Sequence, residues 1–250
     1  MKLIQRLASI LFVIGLPLLL VTTNVRVAAG EVALYERGFR EYDAAEVTGV
    51  PLPELDRAAR EIVHYFENDA STLRIVVDRG GEEVSLFNER ETEHMRDVKD
   101  LMQGVFRVHE IALAFVLSYV VARFLWAGES SLRTLAKESM LGIGLGVIVV
   151  GAIGAFALAG FDEAWTRFHE IAFTDDLLAA GPELRPAHPD VSQPFWEDMT
   201  YLVGAATIAQ AALVMVLSSG YLLATRKSAR STDEDQQPAA AETSAVNPQS

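Results

Sequence analysis

Cysteine is absent from the 250 residues, so the chain can hold no disulfide, no thiolate nucleophile, no iron–sulfur cluster and no Cys-ligated zinc. Positive charge is scarce: 21 Lys and Arg stand against 34 Asp and Glu. The resulting net charge of −13, with no basic stripe, excludes a nucleic-acid partner, because phosphate recognition rests on clustered bases. Walker, Rossmann, metalloprotease and serine-hydrolase signatures are missing, and no segment repeats. Charge is also nearly missing from four long stretches, which leaves few residues for soluble structure.

Those stretches are residues 3–25, 108–127, 140–160 and 199–225. Each is near the ~20 residues that a helix needs to cross ~30 Å of hydrocarbon, and none carries a charge near its middle. The pattern predicts a membrane all-α bundle of four transmembrane helices with a small α+β extracytoplasmic cap, a helix plus a β-hairpin. The expected segments are span one over 1–27, the cap over 28–107, span two over 108–127, a cytoplasmic loop over 128–139 and span three over 140–160. An extracytoplasmic loop over 161–198, span four over 199–225 and a disordered cytoplasmic tail over 226–250 complete the chain. Span one also resembles a secretory signal peptide, with its basic start and with Ala28 and Ala29 beyond the apolar core. The length of that core and the presence of Arg26 favour a retained span.

Lys2 and Arg6 precede span one, Arg226, Lys227 and Arg230 follow span four, and Arg123, Arg133 and Lys137 lie around the loop between spans two and three. The positive-inside rule therefore predicts a multi-pass protein of the plasma membrane with both termini cytoplasmic. Within the cap, Leu55, Ala58, Ala59, Ile62, Val63 and Phe66 form one helical stripe over 53–68. Residues 72–77 and 83–87 are short strand-like runs flanking Arg79-Gly80-Gly81, the composition of a tight hairpin. From 89 the pattern is helical again, with Met95, Val98, Met102 and Val105 or Phe106 on one side, and it runs directly into span two. The tail after Arg230 lacks any hydrophobic periodicity, and such composition buries too little surface to order itself.

Imidazole is the side chain best suited to proton transfer at neutral pH, so the five histidines are weighed individually. His64 reads as a surface or domain-packing residue, His109 as an interfacial residue at the start of span two, and His188 as a loop residue. His94 and His169 each lie on the outer side near a span end, where antiparallel packing would bring them together. Carboxylates border both: Glu93 and Asp97 around the first, Glu170, Asp175 and Asp176 after the second. A metal held by His94, Asp97 and His169 is the weaker alternative, for no dense ligand motif supports it. We expect neither a metal nor a cofactor. Gly142 and Gly146 form a G-x-x-x-G pair that lets a neighbouring helix approach.

The string Phe87-Asn88-Glu89-Arg90-Glu91, followed by His94-Met95-Arg96-Asp97-Val98-Lys99, resembles the signature of the bacterial integral membrane family that contains the lipoprotein intramolecular transacylase. Phe168-His169-Glu170-Ile171-Ala172-Phe173 resembles the family's F-H-x-x-x-F segment, with Phe195-Trp196-Glu197-Asp198 ahead of the fourth span. The order agrees from residue 1 to about 225. Residues 174–178 depart from the pattern in lacking a tryptophan, which bears on substrate choice more than on fold.

The resemblance implies transfer of the sn-2 acyl chain of a diacylglyceryl lipoprotein to the α-amine of its N-terminal cysteine. Its partners would be a diacylated lipoprotein and membrane lipid. It implies that His94 and His169 are the essential pair. Glu93, Asp97, Arg90, Lys99 and Asp176 are the supporting or substrate-binding candidates. The competing reading is a non-catalytic membrane sensor or envelope-assembly partner with an acidic outer cap.

The topology is testable by single cysteines in this cysteine-free chain. A membrane-impermeant thiol reagent applied from outside is expected to label Ala70→Cys or Asp190→Cys and to spare Leu132→Cys and Thr232→Cys. Labelling at 132 alone would invert the arrangement.

Overall fold

The structure, a computed structural model, describes residues 2–173 and 192–244. Its helices are α1 (Lys2–Gly30), α2 (Val32–Glu41), α3 (Ala44–Thr48), α4 (Leu52–Glu67), α5 (Glu89–Ala159), α6 (Phe161–Ala172) and α7 (Ser192–Ser244), and its strands are β1 (Val76–Arg79) and β2 (Glu82–Ser85). Four helical stretches are long and apolar enough to cross a membrane: Leu3–Gly30, Glu89–Leu125, Ser131–Ala159 and Gln193–Arg226. Hydrocarbon offers no partner for a backbone N–H or C=O, and helices satisfy these groups internally. The outward surfaces are correspondingly apolar, with Ile148 70 % and Leu158 74 % exposed.

Helix α5 has 71 residues and would reach about 107 Å if straight. It cannot be straight. Arg123 Nη2 lies 3.0 Å from Glu138 Oε1, and fifteen residues along one straight helix would separate them by about 22 Å. The chain therefore folds back between these residues, and its two arms form spans two and three.

Close helix packing joins α1 to the second arm of α5. Pro17 has no N–H, so the carbonyl of Val13, four residues earlier, has no helical partner. A Cβ added to Gly142 would stand 2.6 Å from that carbonyl oxygen, and one added to Gly146 would stand 2.5 Å from Pro17 Cβ. Only hydrogen fits at these two positions, so the G-x-x-x-G pair seats α1. On its other side, Phe12 stacks on Tyr119 of α5 with centroids 4.6 Å apart. Polar groups tie α1 to α7: the Asn24 amide donates to Thr207 Oγ1 and Gln210 Oε1, both at 3.0 Å, and the Gln210 amide donates back at 3.1 Å. Span one is thus an integral member of the bundle.

At one end of the bundle sits the cap domain. Helix α4 buries Leu55, Ala58, Ala59, Ile62, Val63, Tyr65 and Phe66, the expected stripe with Tyr65 added. They pack with Val50, Leu73, Ile75, Val77 and Val98 in one core, against which Met95, Met102 and Phe106 of α5 also lie. The hairpin pairs Val76 with Ser85 and Arg79 with Glu82, leaving Gly80-Gly81 as a two-residue turn. Both glycines have positive φ, 69° and 93°, which the type I′ turn requires. Arg57 of α4 bonds the Val76 carbonyl and bridges Glu54 and Glu61, fastening the hairpin to the helix. The guanidinium holds the Glu54 carboxyl below its ordinary range, chiefly through their hydrogen bond.

Several elements differ from the sequence expectation. Residues 128–139 carry helical backbone rather than a loop, so the reversal between Arg123 and Glu138 takes up few residues outside the two arms. The segment over 161–198 contains helix α6 and the start of α7. Helix α2, unforeseen, docks on α7: Phe195 fills the space beside Gly38, where a Cβ would meet the ring at 2.5 Å, and Tyr42 donates to Asp198 at 2.5 Å. That hydrogen bond is the first cause that pushes the Tyr42 phenol up to about 12. The tail expected to be disordered continues α7 through Ser244. Propagation from an existing helix needs no new nucleus, and Ala, Glu and Gln are good helix formers, so helicity there needs no buried face.

Phe66 is 1 % exposed at the centre of the cap core. Phe66→Asp is expected to destabilise the cap by several kcal/mol, the cost of burying an unpaired polar group. Thermal unfolding in detergent reads this directly. An unchanged midpoint would place Phe66 outside the core.

Candidate active site

His94 stands in the second turn of α5, and the start of that helix is fixed by a reciprocal cap. Asn88 Oδ1 accepts the Glu91 N–H at 2.9 Å, and Glu91 Oε2 accepts the Asn88 N–H at 2.9 Å. Five residues beyond His94, Lys99 is 5 % exposed and points into the cap. Its ammonium donates to Asn68 Oδ1 at 3.0 Å and to the Ala70 carbonyl at 2.6 Å, and lies 4.2 Å from the centre of the Tyr65 ring. Lys99 thereby locks α5 to the C-terminal end of α4.

His169 lies in the last turn of α6, an amphipathic helix that leaves span three at Gly160. Phe161 stacks on Trp165 at 5.8 Å and packs near Tyr201 at 6.2 Å, Trp165 stacks on Trp196 at 6.5 Å, and Gln193 donates to Asp162 at 2.5 Å. These contacts fasten α6 to α7. Arg167 bridges Glu163 at 2.8 Å and Glu170 at 3.0 Å on the exposed face, and its hydrogen bond to Glu163 leads the upward shift of its pKa.

The two imidazoles meet. Their centroids are 6.0 Å apart with planes inclined by 23°. Each ring nitrogen is only about 1.1 Å from its centroid, so no direct hydrogen bond joins the rings, and an atom between them is within reach of both. Phe173 closes one side, 4.9 Å from His94 and 5.3 Å from His169, and Trp165 lies 4.3 Å from His169. Both histidines are half-buried.

His169 Nδ1 is 2.9 Å from the Trp165 carbonyl oxygen. A carbonyl only accepts, so Nδ1 carries the proton and the neutral ring presents Nε2 as an acceptor. The sequence points to orienting carboxylates, but the orienting group for His169 is backbone. Glu170 is held by Arg167, and Asp97 lies 3.9 Å from Arg96. Glu93 and Arg90 are on the exposed surface of the same first turns as His94. Asp175, Asp176 and His188 lie outside the described residues. Among the described residues no three His, Asp or Glu side chains form a group able to hold a metal, and His94, Asp97 and His169 do not constitute one.

The other histidines are elsewhere: His64 is exposed on α4, and His109 Nδ1 is 3.3 Å from Thr23 Oγ1 between α5 and α1. Sequence reasoning missed Trp165 and Phe173 as walls of the site. Their spacing was the available signal, since Trp165 stands one helical turn before His169 and Phe173 follows four residues later as the residue that caps α6.

A family model described as lipoprotein intramolecular transacylase Lit matches residues 10–180, more than half of the chain. The fold resembles the in meso structure of the membrane integral lipoprotein intramolecular transacylase Lit from Bacillus cereus, at 13% identity, covering 91% of this chain and 99% of that one with a TM-score of 0.69. A histidine-to-arginine variant of that protein matches at 14% identity over 91% and 96% of the two chains, with a TM-score of 0.67. A histidine-to-alanine variant matches at 14% identity over 90% and 96%, with a TM-score of 0.65. No curated relative matches by sequence.

The tautomer is open to measurement. Nitrogen-15 NMR of histidine-labelled protein at alkaline pH is expected to show Nδ1 of His169 protonated and Nε2 bare. The reverse pattern would remove the Trp165 carbonyl as orienting group.

Proposed function

The chain belongs to the lipoprotein intramolecular transacylase (Lit) family of membrane acyltransferases, and from that premise we propose that it moves the sn-2 acyl chain of a diacylglyceryl lipoprotein onto the α-amine of its N-terminal cysteine, with His94 and His169 as the acid–base pair. The observation that carries the assignment is the pairing of the two rings, from distant parts of the chain, across a 6.0 Å gap.

His169 acts as the base. Its Nε2 takes a proton from the substrate amine as the nitrogen attacks the ester carbonyl carbon, and the Trp165 carbonyl, holding Nδ1–H, supports the imidazolium that forms. His94, protonated, stabilises the oxyanion of the tetrahedral intermediate. As the carbon–oxygen bond breaks, His94 donates a proton to the departing glyceryl oxygen, leaving an amide and a free hydroxyl. The protons balance: the amine loses one to His169 and the alkoxide gains one from His94. Nucleophile and ester belong to one substrate, so holding the lipid folded back on its own amine supplies much of the rate. No acyl-enzyme is needed in a chain without cysteine.

The basic residues at the far end of the bundle support an orientation with both termini in the cytoplasm and the histidines outside. The cap over 28–107 and the segment over 161–198 then face the outer side, where the lipidated substrate resides. Arg90 and Glu93, exposed beside His94, are the positions from which a lipoprotein backbone would be bound. A pH-sensing role for the cap is disfavoured by the ring pairing, since a sensor has no need of two imidazoles sharing one gap.

His94→Ala and His169→Ala are each expected to lower lyso-form lipoprotein production by roughly 10²- to 10⁴-fold. The double variant should be scarcely worse than either alone, because groups acting as one unit fail together. His64→Ala is the control and retains activity, and chelator leaves the rate intact. The readout is mass spectrometry of the lipoprotein N-terminus after incubation in vesicles. Full activity of both single variants would overturn the assignment, and inactivation by chelator would restore the metal reading.

A further inference from the structure

At the end of the bundle opposite the histidines, a shallow, open cleft of about 500 Å³ lies between α1 and the two arms of α5. His94 and Arg123 are twenty-nine residues apart on one helical arm, so about 44 Å separates the cavity from the paired rings. Its lining is largely apolar surface, including Ile10, into which Gln5, Arg6, Ser9, Arg123, Thr134 and Glu138 bring polar groups. The carboxylate of Glu138 is fully engaged, accepting from Tyr119 Oη at 2.8 Å and from Arg123 Nη2 at 3.0 Å. Tyr119 Oη in turn is 3.1 Å from Ser9 Oγ. Glu138 therefore neutralises Arg123 and nothing else. Arg6 makes no hydrogen bond or ion pair among the described residues, and its charge faces the cavity uncompensated.

The surroundings reinforce that sign. Residues 2–10, 119–140 and 221–230 hold eight Lys or Arg against two Glu, although the chain as a whole is strongly acidic. All excess positive charge is thus gathered at this membrane level. An amphipathic cleft between spans at a bilayer surface, with one unpaired guanidinium beside the Gln5 amide and apolar wall below, has the chemistry of a phosphate diester site on a lipid.

We infer that this cavity binds the headgroup of an anionic phospholipid from the leaflet opposite the active site, with Arg6 as the phosphate contact. The acyl chains would run along the exposed apolar surface formed by Ile10 and Ile14 of α1. A headgroup wedged among three helix ends would tie α1 to both arms of α5, stabilising the bundle from the far side. The assignment is independent of the acyl-transfer chemistry.

The test is thermal unfolding of the full-length protein in neutral detergent, titrated with short-chain phosphatidylglycerol, short-chain phosphatidylcholine or glycerol 3-phosphate. Phosphatidylglycerol is expected to raise the midpoint in a saturable way that phosphatidylcholine does not match. Arg6→Gln should bind it about fivefold more weakly, the factor carried by one basic side chain near an anionic surface. Its midpoint without lipid should equal that of the unaltered protein, since Arg6 makes no internal contact. Arg6→Lys should restore binding, and Arg79→Gln, an exposed base on the cap hairpin, should leave it unchanged. Equal stabilisation by phosphatidylcholine, or undiminished binding by Arg6→Gln, would overturn the site. Glycerol 3-phosphate saturating at the same concentration as phosphatidylglycerol would overturn the lipid as its source.

Discussion

Helical hydrogen bonding runs without interruption from the Asn88 cap into the hydrocarbon, and the position of every functional group is set against that rod. Inside a bilayer the backbone cannot release these bonds to water, so the first arm of α5 is stiff by necessity. His94 lies fourteen residues above the start of the apolar run at 108, about 21 Å along the axis. The cap box of Asn88 and Glu91 decides where the rod begins, and Lys99 decides how the cap leans on it. The site is placed by a membrane constraint acting through soluble structure.

The string around His94 accordingly divides its labour. Asn88 and Glu91 spend their side chains on each other's backbone, and Lys99 spends its charge on the end of α4, leaving His94 as the member turned toward α6. A buried charge such as that of Lys99, 31 residues from Asn68 and 29 from Ala70 in sequence, is costly unless its donors are satisfied. Here the Asn68 side chain, the Ala70 carbonyl and the Tyr65 ring provide the compensation. Loss of this clamp would loosen the cap without touching the imidazoles.

The second half of the site is held by softer means. Helix α6 has no buried residue, and its attachment to α7 is aromatic, through Phe161, Trp165, Trp196 and Tyr201. Such rings suit a membrane boundary, where one edge meets lipid and the other water. One stiff and one lightly anchored helix thus meet at the two imidazoles.

The sequence by itself determined the four spans, the amphipathic helix of the cap, the glycine hairpin and the two histidines worth attention. Each of these rests on local periodicity or on hydrocarbon thickness, which a linear reading captures. It also anticipated that Gly142 and Gly146 serve packing. Tertiary structure alone decided that α1 is the helix they receive, because the freed Val13 carbonyl and Pro17 must face hydrogen rather than a methyl group. It decided that Lys99 belongs to the cap, that α2 docks through Gly38 on Phe195, and that the Trp165 carbonyl rather than a carboxylate orients His169. Residues 94 and 169 are 75 apart in the chain, and no spacing rule encodes their distance. That distance follows from two arms folding back and two helices leaning together, which only packing in three dimensions fixes.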